Sequence, residues 1–543
     1  MKSWRSYWPA LGLLLILALV AAVRIRLLSL PLERDEGEYA YAGQLMLEGV
    51  PPYRLAYNMK MPGVYASYAL IMAIFGQSIE GIRLGFILVN FGAIVLLYFV
   101  GRRFLDRAGA LAASAVYALL SLSPSVLGLN AHATHFVVLA ALGATLVLLR
   151  AQESGRLSGV FWSGALFGVA FLMKQPGGAF AFFGLALVLW AGLRRNPPAW
   201  KTDGLRLALY GAGVAAPIVL TGLALWRAGV WDKFWWWTVI YARVHATAEN
   251  WRVGQIRLAR FFHRLGWDEL FWALALAGLF FVLKEKDRAN EKFFFLTLLL
   301  FSAASVIPAF HFTSHYFVLM LPVVALLSAR AFAAVAAWLA ARPRAVVRGA
   351  PWILFGLAWT CVAGSHEDAF VKWSPAEATA RMYPYNDFQV YPVLADYLAR
   401  HSPPSATFAV LGSEPELFFY AHRRSVTGYI YMYDLVQEQP FRQRMATEMI
   451  SEVEQGRPDF VVVVNPTYSW VAYSTEGFQA IKKWLAHYTE TQYDPFGVIT
   501  SSPDQYIWGP DCFRQVPIEK RLLSIYQRKR PGSAGLDVPK SAL

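Results

Sequence analysis

Long uninterrupted apolar runs fill the first two thirds of the chain, and short alternating runs replace them afterwards. A helix needs about 20 apolar residues to cross a bilayer. Such runs fall at roughly 9–30, 82–101, 108–128, 133–149, 158–174, 177–193, 207–227, 267–283, 293–310, 316–339 and 350–366. These eleven segments predict a polytopic α-helical membrane protein. The 158–193 stretch makes two spans only if Pro176-Gly177-Gly178 turns tightly. Between the first two spans the pattern predicts two interfacial helices. In 36–49, Tyr39, Ala42, Leu45, Met46 and Leu47 recur near helical spacing, which suits an amphipathic helix lying on the membrane. The mostly apolar stretch 64–75, between Pro62 and Gly76, is too short to span and gives the second. The 228–266 connection opens VWDKFWWW and continues through Arg243, His245, Arg252, Arg257, Arg260, His263 and Arg264. Aromatic and then basic, it suits an interface with phosphate-bearing lipid.

After about residue 367 the pattern changes. TFAVLG (407–412), FVVVVN (460–465) and LLSIYQ (522–527) read as strands, alternating with helical stretches such as 435–455 and 477–487. The organisation is therefore a transmembrane domain over 1–366, a small α/β domain over 367–528, and a disordered tail over 529–543 rich in Lys, Arg, Pro, Gly and Ser. Internal repeats are absent.

Composition agrees with the spans. Of 543 residues 57% are hydrophobic and 16% charged, against about a quarter charged in soluble domains. Mean hydropathy is +0.38. The formal charge of +14 does not call for nucleic acid, because Lys and Arg collect in cytoplasmic loops and meet anionic headgroups. With the N-terminus inside, the cytoplasmic side takes Lys2, Arg5, Arg102, Arg103, Arg107, Arg150, Arg156, Arg194, Arg195, Lys201 and Arg206. It also takes Lys284, Lys286, Arg288, Lys292, Arg342, Arg344 and Arg348. The opposite short connections, 125–132, 174–178 and 311–315, hold only Lys174. An odd number of crossings then puts the α/β domain outside a plasma (inner) membrane, together with the 31–81 and 228–266 loops. Residues 1–23 have a signal-peptide look, but the apolar run continues past Arg24 and Arg26, so an uncleaved first helix is expected. Cys361 and Cys512 lie far apart and form neither a disulfide framework nor a thiolate metal site.

The candidate chemistry lies on the outer side. Asp35 and Glu36 stand where the first helix leaves the membrane. Asp35 reads as the N-cap of a helix starting at Glu36, with Glu38 at the third position of a capping-box-like pattern; a capping carboxylate can still keep one oxygen free for chemistry. Lys60 in N-M-K-M-P-G either snorkels or binds phosphate. Lys174 ends one span before Gln175-Pro176-Gly177-Gly178, where an ionisable residue facing a polar cavity marks function. Arg24 and Arg26 either snorkel outward or face an internal cavity. His132 and His135, and His311 and His315, form pairs near one-turn spacing. No HExxH or carboxylate partner accompanies either pair, so hydrogen bonding to phosphate or sugar is preferred to metal ligation. Neither a cofactor nor a metal is expected. A carboxylate base and a lipid-linked phosphate leaving group would use this set.

DEGEYAYAGQLMLEGVPPYR, NMKMPG, FLMKQPGG and HYFVLMLP together resemble the membrane-spanning type C glycosyltransferases, closest to the protein O-mannosyltransferases and the lipid A aminoarabinose transferases of the bacterial cell envelope. The resemblance covers about residues 8 to 366. It implies a glycosyltransferase that moves a sugar from a polyprenyl-phosphate donor to a hydroxyl of a lipid, glycan or protein acceptor. It places the base on Asp35, with Glu36. The family's Lys-Pro-Pro donor-phosphate region is Lys60-Met61-Pro62 here, which keeps the lysine and loses the first proline. Lys174 corresponds to the lysine before a Pro-Gly turn, and His315-Tyr316 to the pair opening a later helix. His135 stands where relatives often carry an acid, which leaves any divalent-metal requirement unsupported. Attack opposite the phosphate implies inversion, with Lys60, Lys174 and His315 stabilising the departing phosphate, and His311, His132 and Arg26 as further substrate contacts. The competing class is a transporter or flippase, whose marks are internal repeats and charges at mid-membrane.

Overall fold

The computed structural model describes residues 7–247, 249–340, 345–465, 467–470, 475–500 and 505–529. Of the expected tail, only Lys529 is among them. The Lys2, Arg5, Arg342 and Arg344 positions of the charge pattern lie outside the described residues.

Each predicted span coincides with a helix. In order these are α1 (Trp8–Arg26), α4 (Ile79–Gly101), α5 (Arg107–Leu120), α6 (Ala133–Ser154), α7 (Leu157–Met173), α8 (Gly178–Leu193), α9 (Trp200–Arg227), α13 (Glu269–Lys284), α14 (Ala289–Val306), α15 (Leu321–Ala340) and α16 (Ala345–Ser365). Among the described residues, eight helices are long and apolar enough to cross a membrane, while Arg107–Leu120, Leu157–Met173 and Gly349–Ser365 are shorter. The tight turn required after α7 is present, with Gln175–Gly177 forming a single 3-10 turn. α7 and α9 touch backbone to backbone. A Cβ on Gly164 would stand 2.3 Å from the Tyr210 carbonyl oxygen, and glycine is the residue that permits so close an approach.

The 31–81 connection carries α2 (Arg34–Leu47) and α3 (Pro62–Phe75). α3 keeps an apolar edge open at Leu70 and Ile74, as a helix at an interface would. α2 shows no open apolar face of the kind an amphipathic surface helix would present, because Glu36 to Leu45 are all buried within the protein. One side packs on α3, where Tyr39 and Tyr68 meet edge to face at 5.3 Å. The other side is covered by the C-terminal region, where Tyr41 stacks on Phe418 at 5.0 Å. A Cβ on Gly37 would come within 2.7 Å of the Glu416 backbone.

The 228–266 connection is helical in pieces: α10 (Trp231–Trp235), a π-helical stretch (Trp236–Tyr241), α11 (Ala242–Ala246) and α12 (Trp251–Arg264). On α12, Trp251, Ile256 and Phe262 are exposed beside Arg252, Arg260 and Arg264.

The C-terminal region opens with α17 (Pro375–Met382) and α18 (Tyr391–Arg400) and builds one six-stranded sheet, in the order β2-β1-β3-β6-β4-β5. The expected strands are β1 (Thr407–Leu411), β3 (Phe460–Val464) and β6 (Arg521–Arg528). β2 (Arg424–Ser425), β4 (Tyr493–Thr500) and β5 (Tyr506–Trp508) were not expected. β4 hides its pattern because Pro495 and Gly497 interrupt it, and its pairing with β6 shifts register between them. β1 is parallel to β2 and to β3, with Phe408 opposite Phe460, whereas β6 runs antiparallel to both its neighbours. The helices α19 (Glu416–Ala421), α20 (Tyr433–Val436) and α21 (Arg442–Gly456) connect the strands, and Glu476–Gln492 adds a longer one. Leu417, Phe418 and Ile430 share one buried cluster with Tyr39, Tyr65 and Tyr68, so the sheet domain and the first connection fold around a common core.

Candidate active site

The helix cap decides the site's first residue. Glu33, not Asp35, caps α2. Its carboxylate accepts from the Glu36 amide at 3.0 Å, and the Glu36 carboxylate accepts from the Glu33 amide at 3.3 Å, a reciprocal capping box. Asp35 is thereby released from the backbone. Its Oδ1 accepts from the Lys60 ammonium at 2.7 Å, while among the described residues Oδ2 takes part in no hydrogen bond and lies 4.0 Å from His315 Nε2.

Glu36 turns the other way. Buried, it accepts from Asn130 Nδ2 at 2.8 Å and from the Ala131 amide, and pairs with Arg83, whose Nη2 stands 2.9 Å from Oε2. Its expected catalytic place is therefore corrected to a structural one, tying α2 to α4 and to the turn before α6. Glu38, one turn after Asp35, faces the same lysine: Lys60 donates to Oε2 at 2.5 Å, Asn58 adds a bond at 3.0 Å, and the Tyr65 hydroxyl donates to Oε1.

A cavity of about 740 Å³ opens beside Asp35. Lys174 reaches it from the end of α7, 3.3 Å from His315 Nε2 and 4.1 Å above the Tyr316 ring. Among the described residues no carboxylate pairs with that ammonium. His132 lies parallel on His315, with ring centroids 4.1 Å apart, and its Nδ1 is 3.5 Å from Glu33. His311 lines the far side, with Nε2 2.9 Å from His245 Nε2 and Nδ1 2.7 Å from Arg257. The turn carrying it is strained: Ala309, Phe310 and Phe312 all have positive φ, at 60°, 50° and 43°. Such conformations persist where the surroundings over-determine them, as at ligand sites.

Two expected contacts fall elsewhere. Arg26 donates to the carbonyls of Phe370 at 2.8 Å, Ala369 at 2.6 Å and Trp373, clamping the turn after α16. His135 is buried edge-on against Phe86 at 4.8 Å, with neither ring nitrogen hydrogen-bonded. Neither lines the cavity: Arg26, the last residue of α1, is spent on the backbone after α16, and His135, in the first turn of α6, is turned against α4. Conversely, Tyr383, Tyr433 and Gln437 of the C-terminal region line the cavity. No local pattern marked them, since only the fold brings them within reach of Asp35.

The charges form a consistent set. Burial raises the Asp35 carboxyl's pKa, but Lys60, His315 and Lys174 outweigh it and hold the group well below the usual carboxylate range. Lys60 is also desolvated, yet its two carboxylates keep it firmly protonated. Burial lowers Lys174 to about 8, with Lys60 adding to the effect. Burial takes His132 to about 4, so it is neutral at pH 7. Asp35, His132 and His315 offer ligand atoms within 4.8 Å of one another. A divalent ion fits them poorly, because the Lys60 and Lys174 ammonium groups already stand against Asp35 and His315.

Residues 60–225 match the dolichyl-phosphate-mannose-protein mannosyltransferase family. The structure is similar to that of ArnT from Cupriavidus metallidurans bound to undecaprenyl phosphate, with a TM-score of 0.60 at 16% identity over 94% of this chain and 97% of that one. The chain has the type C glycosyltransferase fold. Further structures share it. The apo oligosaccharyltransferase of Archaeoglobus fulgidus aligns at TM-score 0.57 and 16% identity, over 96% of this chain and 77% of that one. The archaeal oligosaccharyltransferase AglB of the same organism, in complex with an inhibitory peptide and a dolichol-phosphate, aligns at 0.55 and 16%, over 96% and 76%. No curated protein sequence matches the chain. In type C terms, the cavity lies where the first connection, the 308–316 turn and the C-terminal region meet.

Proposed function

We propose that the chain is a glycosyltransferase that moves a sugar from a polyprenyl-phosphate donor to an acceptor hydroxyl at the outer face of the cytoplasmic membrane, with inversion and with Asp35 as general base. The observation that carries this reading is Asp35 Oδ2, an ionised carboxylate oxygen that fronts the cavity without a hydrogen bond from any described residue while Oδ1 is held by Lys60. The similar ArnT and AglB structures hold undecaprenyl phosphate and dolichol-phosphate, which supports the donor class.

The acceptor oxygen attacks the anomeric carbon as Asp35 Oδ2 takes its proton, and the bond from that carbon to the phosphate oxygen breaks. The leaving lipid phosphate gains charge that Lys174, unpaired with any described carboxylate, neutralises. Lys60 is committed to Asp35 and Glu38, so it orients the base and keeps it ionised. The two ammonium groups supply the positive charge a divalent ion would bring, and the reaction is read as metal-independent. Activity lost on EDTA dialysis and restored by a divalent cation would overturn that point.

Asp35→Asn keeps the side chain's shape and removes its basicity. Transfer from a radiolabelled polyprenyl-phosphate sugar should fall by about 10²–10⁴-fold, with expression and thermal stability retained. Wild-type transfer by this variant sinks the assignment. Vesicle uptake of substrate without sugar transfer would instead indicate a transporter.

A further inference from the structure

The lining of the cavity carries two unlike chemistries. Lys174, Arg243, His245 and His311 are cationic and imidazole groups suited to a phosphate. The C-terminal region contributes the rings of Tyr383 and Tyr433 and the side-chain amide of Gln437.

These C-terminal residues are held in place by their neighbours. The Tyr383 hydroxyl meets His132 Nε2 at 3.3 Å, and its ring rests edge-on against Phe388 at 5.4 Å. Tyr433 lies 5.0 Å from Tyr431. The Tyr431 hydroxyl donates to the Arg34 carbonyl at 3.1 Å, and the Tyr431 ring sits 5.4 Å from the Lys60 ammonium. α20, which carries Tyr433, is pinned from the other side by the Tyr241 hydroxyl, which donates to Asp434 at 2.8 Å. The Gln437 amide N–H donates to the Tyr433 carbonyl at 3.0 Å and closes the turn. Among the described residues, neither the Tyr433 hydroxyl nor the Gln437 side chain is engaged in a hydrogen bond.

Flat rings with polar edges, beside an amide offering both donors and an acceptor, match the C–H face and adjacent hydroxyls of a sugar ring. We propose that Tyr383, Tyr433 and Gln437 form the acceptor subsite and that the acceptor is a carbohydrate hydroxyl, the C-terminal region being the part of the chain that selects it. The proposal rests on the glycosyltransferase reading for its chemistry, but the subsite's binding can be measured without turnover.

The test is saturation-transfer NMR on the full chain in nanodiscs, with methyl α-mannoside, methyl α-glucoside, methyl β-galactoside and methyl arabinoside, and a serine-containing peptide as competitor. At least one glycoside should bind the wild type. Tyr433→Ala and Gln437→Ala should each weaken it about 2–12-fold, the worth of an aromatic contact in the first and of a hydrogen bond in the second, each about 0.5–1.5 kcal/mol. Tyr433→Phe, which keeps the ring and guards against misfolding, should retain most of the binding. Binding is read on the wild type without donor or turnover, so it stands or falls separately from the base assignment. Binding of none of the glycosides, equal binding by both alanine variants, or displacement by the peptide would overturn it.

Discussion

Replacing Lys60 by methionine tests whether the lysine keeps Asp35 ready to act as a base. Its ammonium bridges Asp35 Oδ1 at 2.7 Å and Glu38 Oε2 at 2.5 Å, and all three side chains are largely shielded from water. Methionine fills the space and removes the charge. Burial then raises both carboxyls and each acid repels the other; His315, Lys174 and His132 still oppose it at Asp35, and the Tyr65 hydroxyl at Glu38. An opposite charge at such a distance lowers a carboxyl pKa by about 1–3 pH units, or about 1.4–4 kcal/mol. Without it Asp35 and Glu38 are two buried carboxylates facing one another, and such a pair shares a proton, with one of its two pKa values strongly raised. A base acts in its unprotonated form, so activity is present above its pKa and disappears as pH falls through it. In the wild type Asp35 lies below the usual carboxylate range, and its protonation leaves no mark on kcat/KM above about pH 4.5. In Lys60→Met the higher pKa of the pair should bring an acid limb into the measurable range, and adding Glu38→Gln should move it back down. The assay is kcat/KM for a polyprenyl-phosphate sugar in nanodiscs, from about pH 4.5 to 9. A Lys60→Met profile that is lowered but unchanged in shape would refute the reasoning.

Lys174, with its pKa brought by burial to about 8, loses its charge as pH rises through that value. The kcat/KM for donor should therefore fall between about pH 7 and 9 in the wild type and hold level in Lys174→Arg, since arginine stays protonated; equal declines in both would exclude Lys174 as the phosphate ligand. Arg83→Met strands the buried Glu36 carboxylate beside Asn130 and the Ala131 amide. Loss of one partner of a buried pair costs about 3–5 kcal/mol, which should appear as a clear drop in detergent-phase melting temperature, largely recovered in Arg83→Met/Glu36→Gln. A wild-type melting curve for Arg83→Met would show that the pair holds nothing.

Apolar runs and their punctuation determined where the membrane helices lie, because hydrophobicity over some 20 residues is a local property that tertiary packing does not change. The same runs marked β1, β3 and β6. They also set Asp35, Lys60, Lys174 and His315 in connections between helices, and the structure gathers these four around one cavity. Neighbouring residues with alike side chains were harder to separate. Glu33, Asp35, Glu36 and Glu38 are four acids within six positions, and each has a different role. Which one caps the helix, which meets Arg83 and which faces the cavity depends on the helix starting at Arg34 rather than Glu36 and on partners 47 to 95 residues away. His135 and Arg26 show the same limit, since polarity announces a need for partners without naming them. α2 has the spacing of a surface helix, yet a domain nearly 400 residues downstream covers it, through contacts such as Leu32 to Tyr420 and Arg424 to Glu48. That domain also brings Tyr383 and Tyr433 to the cavity. Long-range packing alone decided these placements, because burial of α2 between two bodies is a property of their joint surface and of neither sequence segment by itself.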